Sequence, residues 1–280
     1  MRHLRIGDHQ LEHVWLGPGP EEALTLVFLH EGLGCVAMWR DFPQRVIEAT
    51  GCGALVYSRA GYGGSDPIEL PRPVRFMHDE ALLTLPRVLD ALNVREAILV
   101  GHSDGGSIAL IHAGAWNNSK HGGSESTENK SSTVFPKRLV RGLILEAPHV
   151  FVEEVGIKRI EAIAEEYRDG DLRQRLERYH GKNVDRAFWG WNDVWLDPSF
   201  RAWNIQEYLP EIRVPVLVIQ GEDDRYGTLR QIKAIEDQCR GPVSTVVLEK
   251  CGHSPHVDQA ERTLAAITRF VRESANYQKQ

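Results

Sequence analysis

An α/β protein with a mostly parallel central sheet, helices on both of its faces and an inserted helical segment is what this 280-residue sequence predicts. Three observations predict it: short, continuously apolar runs recur along the chain, helix-periodic stretches alternate with them, and one long segment with its own helix signals breaks the alternation.

The runs are "LTLVFLH" (24–30), "ALVYS" (54–58), "AILVG" (97–101), "VRGLILEA" (140–147), "VPVLVIQG" (214–221) and "STVVLE" (244–249). Each has strand length, is rich in β-branched and aliphatic residues, and is bounded by Gly, Pro or charge. An alternating pattern would mean one wet face; a continuous one means a strand covered on both sides, as parallel strands are. Before them, "LRIGDHQLEHVW" has Gly7-Asp8 between two alternating segments, the signature of an antiparallel hairpin on the sheet edge. Between the runs, Ala81, Leu82, Leu85, Leu89 and Leu92 recur at helical spacing, and Pro86 is expected to kink or split that helix. "TLRQIKAIEDQC" and "ERTLAAITRFVRE" read as two further helices.

Two segments depart from this rhythm. Residues 117–137, "NNSKHGGSESTENKSSTVFPK", hold almost no large apolar side chain and so cannot repay the entropy of ordering; a disordered loop inside the core is expected there. Residues 149–211 are too long for an ordinary connection between a strand and a helix. Asp171, Asn183 and Ser199 each precede a helix-like stretch, which makes this an inserted helical lid on a core formed by 1–148 and 212–280. The lid holds Trp189, Trp191, Trp195 and Trp203, four of the seven tryptophans, with Phe188, Phe200 and Tyr208. Large aromatics mostly pack, so most should staple the lid down while some line a pocket.

The formal charge of −6 with no long block of like charge argues against a nucleic-acid partner. No apolar stretch reaches membrane-spanning length, and "MRHLRIGDHQLEHVW" lacks the apolar core and cleavage site of a secretory leader, so a cytoplasmic protein with no membrane partner is expected. The four cysteines are scattered, with no CxxC and no metal-like spacing to histidine, which fits packed, reduced thiols and implies neither metal nor disulfide.

The chemistry is carried by "ILVGHSDGGSIAL" (98–110), where Gly101-His102-Ser103-Asp104-Gly105 follows an apolar strand and opens a small-residue helix. By itself Gly-x-Ser-x-Gly is a weak signal; between a strand and a helix it is the setting of a nucleophile elbow, which exposes a serine hydroxyl at the carboxyl edge of the sheet. A serine needs a base, and the base needs a carboxylate to orient it. Both types follow later strands: Glu222-Asp223-Asp224 after "VPVLVIQG", and His253 and His256 after "STVVLEK". Any one of the twelve histidines is ordinarily structural. Three coincidences at three strand ends, in the order Ser, Asp, His, point to one site.

On these residues the sequence resembles the α/β-hydrolase family over nearly its whole length. "LHEGLG" resembles the family's oxyanion turn, "YSRAGYGGSDP" its D-R-x-G-x-G-x-S turn, "GHSDGG" its elbow, "QGEDD" its acid turn and "CGHSPHVDQAE" its histidine turn. The resemblance implies Ser103 as nucleophile, Asp224 as acid and His253 as base, with the amide of Asp104 and that of Gly32, or alternatively Leu33, as oxyanion-hole donors. Asp223 and Glu146 remain alternatives for the acid and His256 for the base, and the Asp104 side chain is read as a solvated group on the elbow. Glu31 departs from the family, which has glycine beside the histidine of that turn; it is expected either to leave the pocket and pair with Arg59 or to line the pocket and meet a cationic or hydroxyl group of a substrate.

The resulting expectation is a serine hydrolase working through an acyl-enzyme on a small apolar carboxylic ester, with a small-molecule substrate and no cofactor. Serine at the nucleophile position argues against the epoxide and haloalkane hydrolysis the fold also hosts, which need a carboxylate. Carbon-carbon, amide or lactone hydrolysis would use the same parts, and a non-catalytic small-ligand binding protein is the rival from another class. Oligomeric state is not legible.

Overall fold

The computed structural model describes residues 1–118 and 139–277. Among these, eight strands form one sheet: β1 (Arg2–Ile6), β2 (His9–Leu16), β3 (Thr25–Leu29), β4 (Gly53–Tyr57), β5 (Glu96–His102), β6 (Leu139–Glu146), β7 (Val216–Gly221) and β8 (Val243–Leu248), in the order β1-β2-β4-β3-β5-β6-β7-β8. β1 and β2 are the expected antiparallel hairpin on the edge, with Ile6 opposite His9 across the Gly7-Asp8 turn. β2 pairs antiparallel with β4, and every other pairing is parallel.

Continuous apolar strands have two faces to hide, and the sheet hides both. Val27, Leu29, Leu55, Tyr57, Leu99 and Leu145 point into one core; Leu26, Phe28, Val56, Ile98, Val100 and Ile144 point into the other. This is the period-two alternation of a strand turned to two buried sides. Helices α1 (Phe42–Thr50), α2 (Phe76–Asp79), α3 (Leu85–Ala91), α4 (Asp104–Asn118), α5 (Glu154–Asp169), α6 (Leu172–His180), α7 (Val184–Leu196), α8 (Leu229–Gln238), α9 (Pro255–Asp258) and α10 (Ala260–Tyr277) complete the chain. α1 and α10 cover the second core through Phe42, Val46, Ile267 and Phe270. α3, α4 and α8 cover the first through Leu85, Val88, Ile108, Ile111, Ile232 and Ile235.

Pro86 splits its helix as expected. α2 passes through a wide π turn at Glu80–Thr84 before α3 resumes with Pro86 in its first turn, where the missing N–H costs nothing. Of residues 117–137, expected to form a disordered loop, 119–137 lie outside the described residues, while Asn117 and Asn118 belong to the end of α4.

α5, α6 and α7 stand between β6 and β7, followed by two 3-10 turns, Pro198–Ala202 and Gln206–Glu211. Asp171 and Asn183 occupy the positions before α6 and α7. Ser199 does not start its turn: Asp197 does, accepting the Ser199 amide at 2.7 Å, because Pro198 presets the first helical position. The apolar sides of this insertion, including Ile157, Ile160, Leu176, Trp191 and Trp195, run into the first core. Asn183 does not cap α7 with its side chain; its amide nitrogen donates to the carbonyls of Ser65 (2.7 Å) and Gly63 (3.2 Å) and ties the insertion to the loop after β4.

No helix among the described residues is long and apolar enough to cross a membrane.

Where α4 leaves β5, a β-carbon on Gly105 would lie 2.0 Å from the carbonyl oxygen of Leu29. Gly105→Ala must therefore push α4 off β3, and should cost about 3 kcal/mol, a fall of roughly 6–12 °C in melting temperature. Gly19→Ala, where nothing lies within 4 Å, should stay within about 0.5 kcal/mol. Thermal denaturation of the two variants side by side checks this; equal shifts would show that the close approach is not under steric tension.

Candidate active site

Ser103 sits between the end of β5 and the start of α4 with φ +53°, a left-handed conformation that costs a non-glycine residue energy and is held only where neighbours overdetermine it. Here they do. The Ser103 amide donates to the Glu146 carbonyl at 2.8 Å, and the amides of Gly106 and Ser107 donate back to the Ser103 carbonyl at 2.8 and 3.1 Å. The turn is tight enough that its hydroxyl projects from the carboxyl edge of the sheet.

The other two strand ends bring their side chains to it. His253 Nε2 lies 2.9 Å from Ser103 Oγ, and His253 Nδ1 lies 2.8 Å from Asp224 Oδ2. With Nδ1–H donated to the carboxylate, Nε2 faces the serine hydroxyl as an acceptor. Asp224 is itself held: Gln220 Nε2 donates to Oδ2 at 2.6 Å and the Tyr226 amide to Oδ1 at 2.8 Å. Burial works against its charge, but His253 and the Tyr226 amide outweigh burial and keep the carboxyl below its ordinary range. Asp223, one residue earlier, is exposed and meets this region only through its amide, which donates to the Cys251 carbonyl. Glu146 is fully buried but turned to His256, whose Nδ1 lies 2.7 Å from its Oε2. Asp224, not these alternatives, is the carboxylate at His253.

The "HEGLG" turn lies beside the serine. Its Leu33 amide is already occupied, donating to Glu31 Oε2 at 2.5 Å, whereas the Gly32 amide has no acceptor among the described residues. Gly32 has no room for a side chain, since a β-carbon would sit 2.1 Å from the Trp191 indole nitrogen. Glu31 does not pair its carboxylate with Arg59 as one expectation had it. Arg59 Nη2 donates instead to the Glu31 carbonyl at 2.9 Å, alongside His30 Nδ1 (2.7 Å) and the Gly34 amide (3.1 Å). The carboxyl lines the cavity, and burial raises its pKa.

Asp104 corrects another expectation. Its side chain is not solvated but completely buried. Burial pushes its carboxyl up, opposed by Arg59, Arg72 and the Trp195 indole. The elbow residue is covered because α7 packs over it, which no local pattern around Ser103 announces.

Above the serine lies a cavity of about 240 Å³ whose wall includes Ser103, His253, Ile160, Leu176, Trp191 and Trp195. Of the insertion's aromatics, Trp191 and Trp195 face it, while Phe188 stacks on Tyr167 at 3.7 Å and Phe200 on Trp203 at 5.3 Å. Sequence reasoning missed two rings in this wall. Tyr226 lies 4.6 Å from the His253 ring and His149 lies 5.6 Å from it; both follow strand ends by a few residues, and that position was the available signal. Among the described residues no three or more His, Cys, Asp or Glu side chains are grouped as metal ligands would be.

Burial keeps many imidazoles here neutral. His149 is lowered to about 4, His30 and His102 lie well below the ordinary 6.5, and His13, His112 and His180 are lowered too. Below about pH 6.5 the unfolded chain binds protons that the native state refuses, so this stability is full above that pH and is lost as pH falls toward each folded value. His149 alone accounts for on the order of 3 kcal/mol by pH 4. Urea midpoints should hold from pH 7.5 to about 6.5 and fall from there to pH 5; a midpoint constant down to pH 5 would show that the native rings take up protons as readily as the unfolded ones.

A family model described as the alpha/beta hydrolase family matches residues 26–266. The chain is similar to a proline iminopeptidase of Lactobacillus crispatus, 22% identical over 275 residues, with 89% of this chain and 90% of that one covered. In structure it is similar to a thermophilic esterase from Thermogutta terrifontis, with a TM-score of 0.68 and 18% identity over 98% of this chain and 99% of the other. The enol-lactonase from Burkholderia xenovorans LB400 gives a TM-score of 0.68 and 17% identity over 96% and 99%. At these identities the structural likeness is one of fold.

Proposed function

Because the chain belongs to the alpha/beta hydrolase family and is a hydrolytic enzyme, we propose that it cleaves a small apolar carboxylic ester through an acyl-enzyme on Ser103. The observation that carries this reading is the unbroken run from Asp224 through His253 to Ser103, 2.8 and 2.9 Å, opening onto a cavity walled by tryptophan and aliphatic side chains.

Ser103 Oγ attacks the ester carbonyl carbon while its proton passes to His253 Nε2, and Asp224 stabilises the imidazolium that forms. The negative charge that develops on the carbonyl oxygen is received by the amides of Asp104 and Gly32, the latter being the unoccupied donor of its turn. Collapse breaks the bond to the alkoxy group, which leaves as an alcohol with the proton from His253. Water then repeats the sequence on the acyl-serine, releasing the acid and restoring Ser103. The insertion acts as a lid that excludes bulk water and selects the acyl group, with Trp191, Trp195, Leu172 and Leu176 as its apolar contacts. The four cysteines are free, three of them buried, as thiols are in a reducing compartment, which supports a cytoplasmic setting.

One observation favours a second reading within the class. Glu31 presents a carboxyl to the cavity and no Lys or Arg among the described residues lines it, which would suit an acyl group bearing an amine, in an ester or an amide. Glu31→Gln should then lower kcat/KM only on amine-bearing substrates; equal rates on matched neutral and amine-bearing esters would leave the apolar ester.

A fluorophosphonate should label Ser103 and no other residue, and Ser103→Ala should abolish hydrolysis while the melting temperature moves by only a few degrees. Full activity in the alanine variant would sink the mechanism, and ligand binding without turnover in the wild type would favour the binding protein. Asp224→Asn should cost about 10²- to 10⁴-fold in turnover, since the imidazole loses its orienting partner, against less than about tenfold for Asp223→Asn. Mass spectrometry of the labelled peptide and steady-state kinetics on small activated esters check these outcomes.

A further inference from the structure

We propose that Glu146 is the positioning residue of this site: it sets the distance between Ser103 and His253 by holding the elbow with its backbone and the histidine turn with its side chain. The proposal rests on the serine-hydrolase reading above.

At the end of β6, the Glu146 carbonyl accepts the Ser103 amide at 2.8 Å. Its carboxylate points across the sheet edge, where Oε2 accepts both the amide of His256 at 3.2 Å and the Nδ1–H of the same ring at 2.7 Å. One residue thus grips the nucleophile's backbone on one side and, on the other, the turn that begins three residues earlier with His253. A second tie closes the loop. His102, the residue before Ser103, donates from Nε2 to the His253 carbonyl at 2.6 Å.

The carboxylate is costly where it is. Glu146 is fully buried, and its Oε1 has no hydrogen-bond partner, a state that ordinarily destabilises a fold. His256 is wedged against Trp39 and Phe42, with ring centroids 4.6 and 5.6 Å away, and only 7% of its side chain is exposed while none of the Glu146 side chain is. An apolar pair of the same volume would serve packing at least as well. What such a pair could not do is fix the turn to the elbow, and a displacement of about 1 Å between reacting groups is enough to cost about 10²-fold in rate.

The test uses the full chain and a small activated ester. Glu146→Ala should lower kcat about 100-fold with KM within about threefold, since binding groups are untouched. Glu146→Gln, whose amide oxygen can still accept from His256, should recover kcat to within about tenfold of wild type. Adding His102→Ala to Glu146→Ala should cost less than the product of the single losses, because both ties hold one turn. Should Glu146→Ala not fold, the apolar double change Glu146→Leu with His256→Phe keeps the packing and should fold with kcat still about 100-fold down.

Wild-type kcat in the alanine or apolar variants, a loss that falls on KM, or no rescue by glutamine would each overturn the proposal. Labelling of Ser103 by a fluorophosphonate in the wild type separates the two claims. If it fails there, the hydrolase reading has failed; if it succeeds while Glu146→Ala turns over normally, only the role of Glu146 is lost.

Discussion

The constraint on which the rest of the site depends is how closely the backbones at the carboxyl edge of the sheet approach one another. α4 can start directly against β3 because Gly105 has no side chain to meet the Leu29 carbonyl. At the far side of the sheet, a β-carbon on Gly221 would lie 2.1 Å from the Gly252 carbonyl, so the turn bearing Asp224 rests against the turn bearing His253 with nothing between them. These contacts join strand ends far apart in sequence at distances that only bare backbone allows. Once they are made, side chains of ordinary length span the remaining gaps, and the three groups meet at 2.8 and 2.9 Å without unusual reach.

The same edge concentrates polar groups that water cannot solvate, and the protein answers each in a different way. Imidazoles are kept neutral by burial, as with His102 and His149. Glu12 is matched with donors, its Oε2 accepting from the Ser58 hydroxyl at 2.7 Å and the Gly64 amide at 2.9 Å. Arg59 and Arg72 flank the Tyr62 ring, their guanidinium carbons 5.1 and 4.7 Å from its centroid. The insertion takes part in this accounting, since His180 accepts the Gly63 amide through Nδ1 at 3.0 Å and faces the Leu33 carbonyl through Nε2 at 2.9 Å. It is bonded to the turn that carries Gly32 as well as packed above it, so its placement and the geometry of that turn are coupled.

How much of this was legible depends on the range of the interactions involved. The strands were legible because burial on two faces writes itself locally as a continuous apolar run, and the split before α3 because proline acts on its own helix. Ser103, Asp224 and His253 could be named because each follows such a run, and a strand end in a parallel sheet is already a spatial address. The covered side chain of Asp104, the orientation of Glu31 and the bond between Glu146 and His256 could not. Each depends on partners from about 30 to more than 100 residues away: Arg59 on His30 and Glu31, Trp195 over Asp104, Glu146 under His256. Ser199 was misread as a helix start for the opposite reason, since two helix-starting signals lay within three residues and proline decided between them.

The two carboxyls beside the proposed oxyanion donors, those of Glu31 and Asp104, show why those partners matter. A full negative charge about 4 Å from a developing oxyanion would oppose it by about 4 kcal/mol at an effective dielectric of about 20, enough to offset most of what one amide donor contributes. Glu31 and Asp104 avoid this by distinct routes. The Glu31 carboxyl is tethered to the Leu33 amide, which leaves Gly32 as the free donor of the turn, while three donors on its own carbonyl hold that turn. Asp104, whose amide is the second proposed donor, buries its side chain toward Arg59 and Arg72, whose field opposes that of the carboxylate. Burial raises the pKa of both acids, toward the uncharged form. Acidic residues beside Ser103 are thus compatible with the proposed oxyanion, provided the arginines behind the wall stay in position.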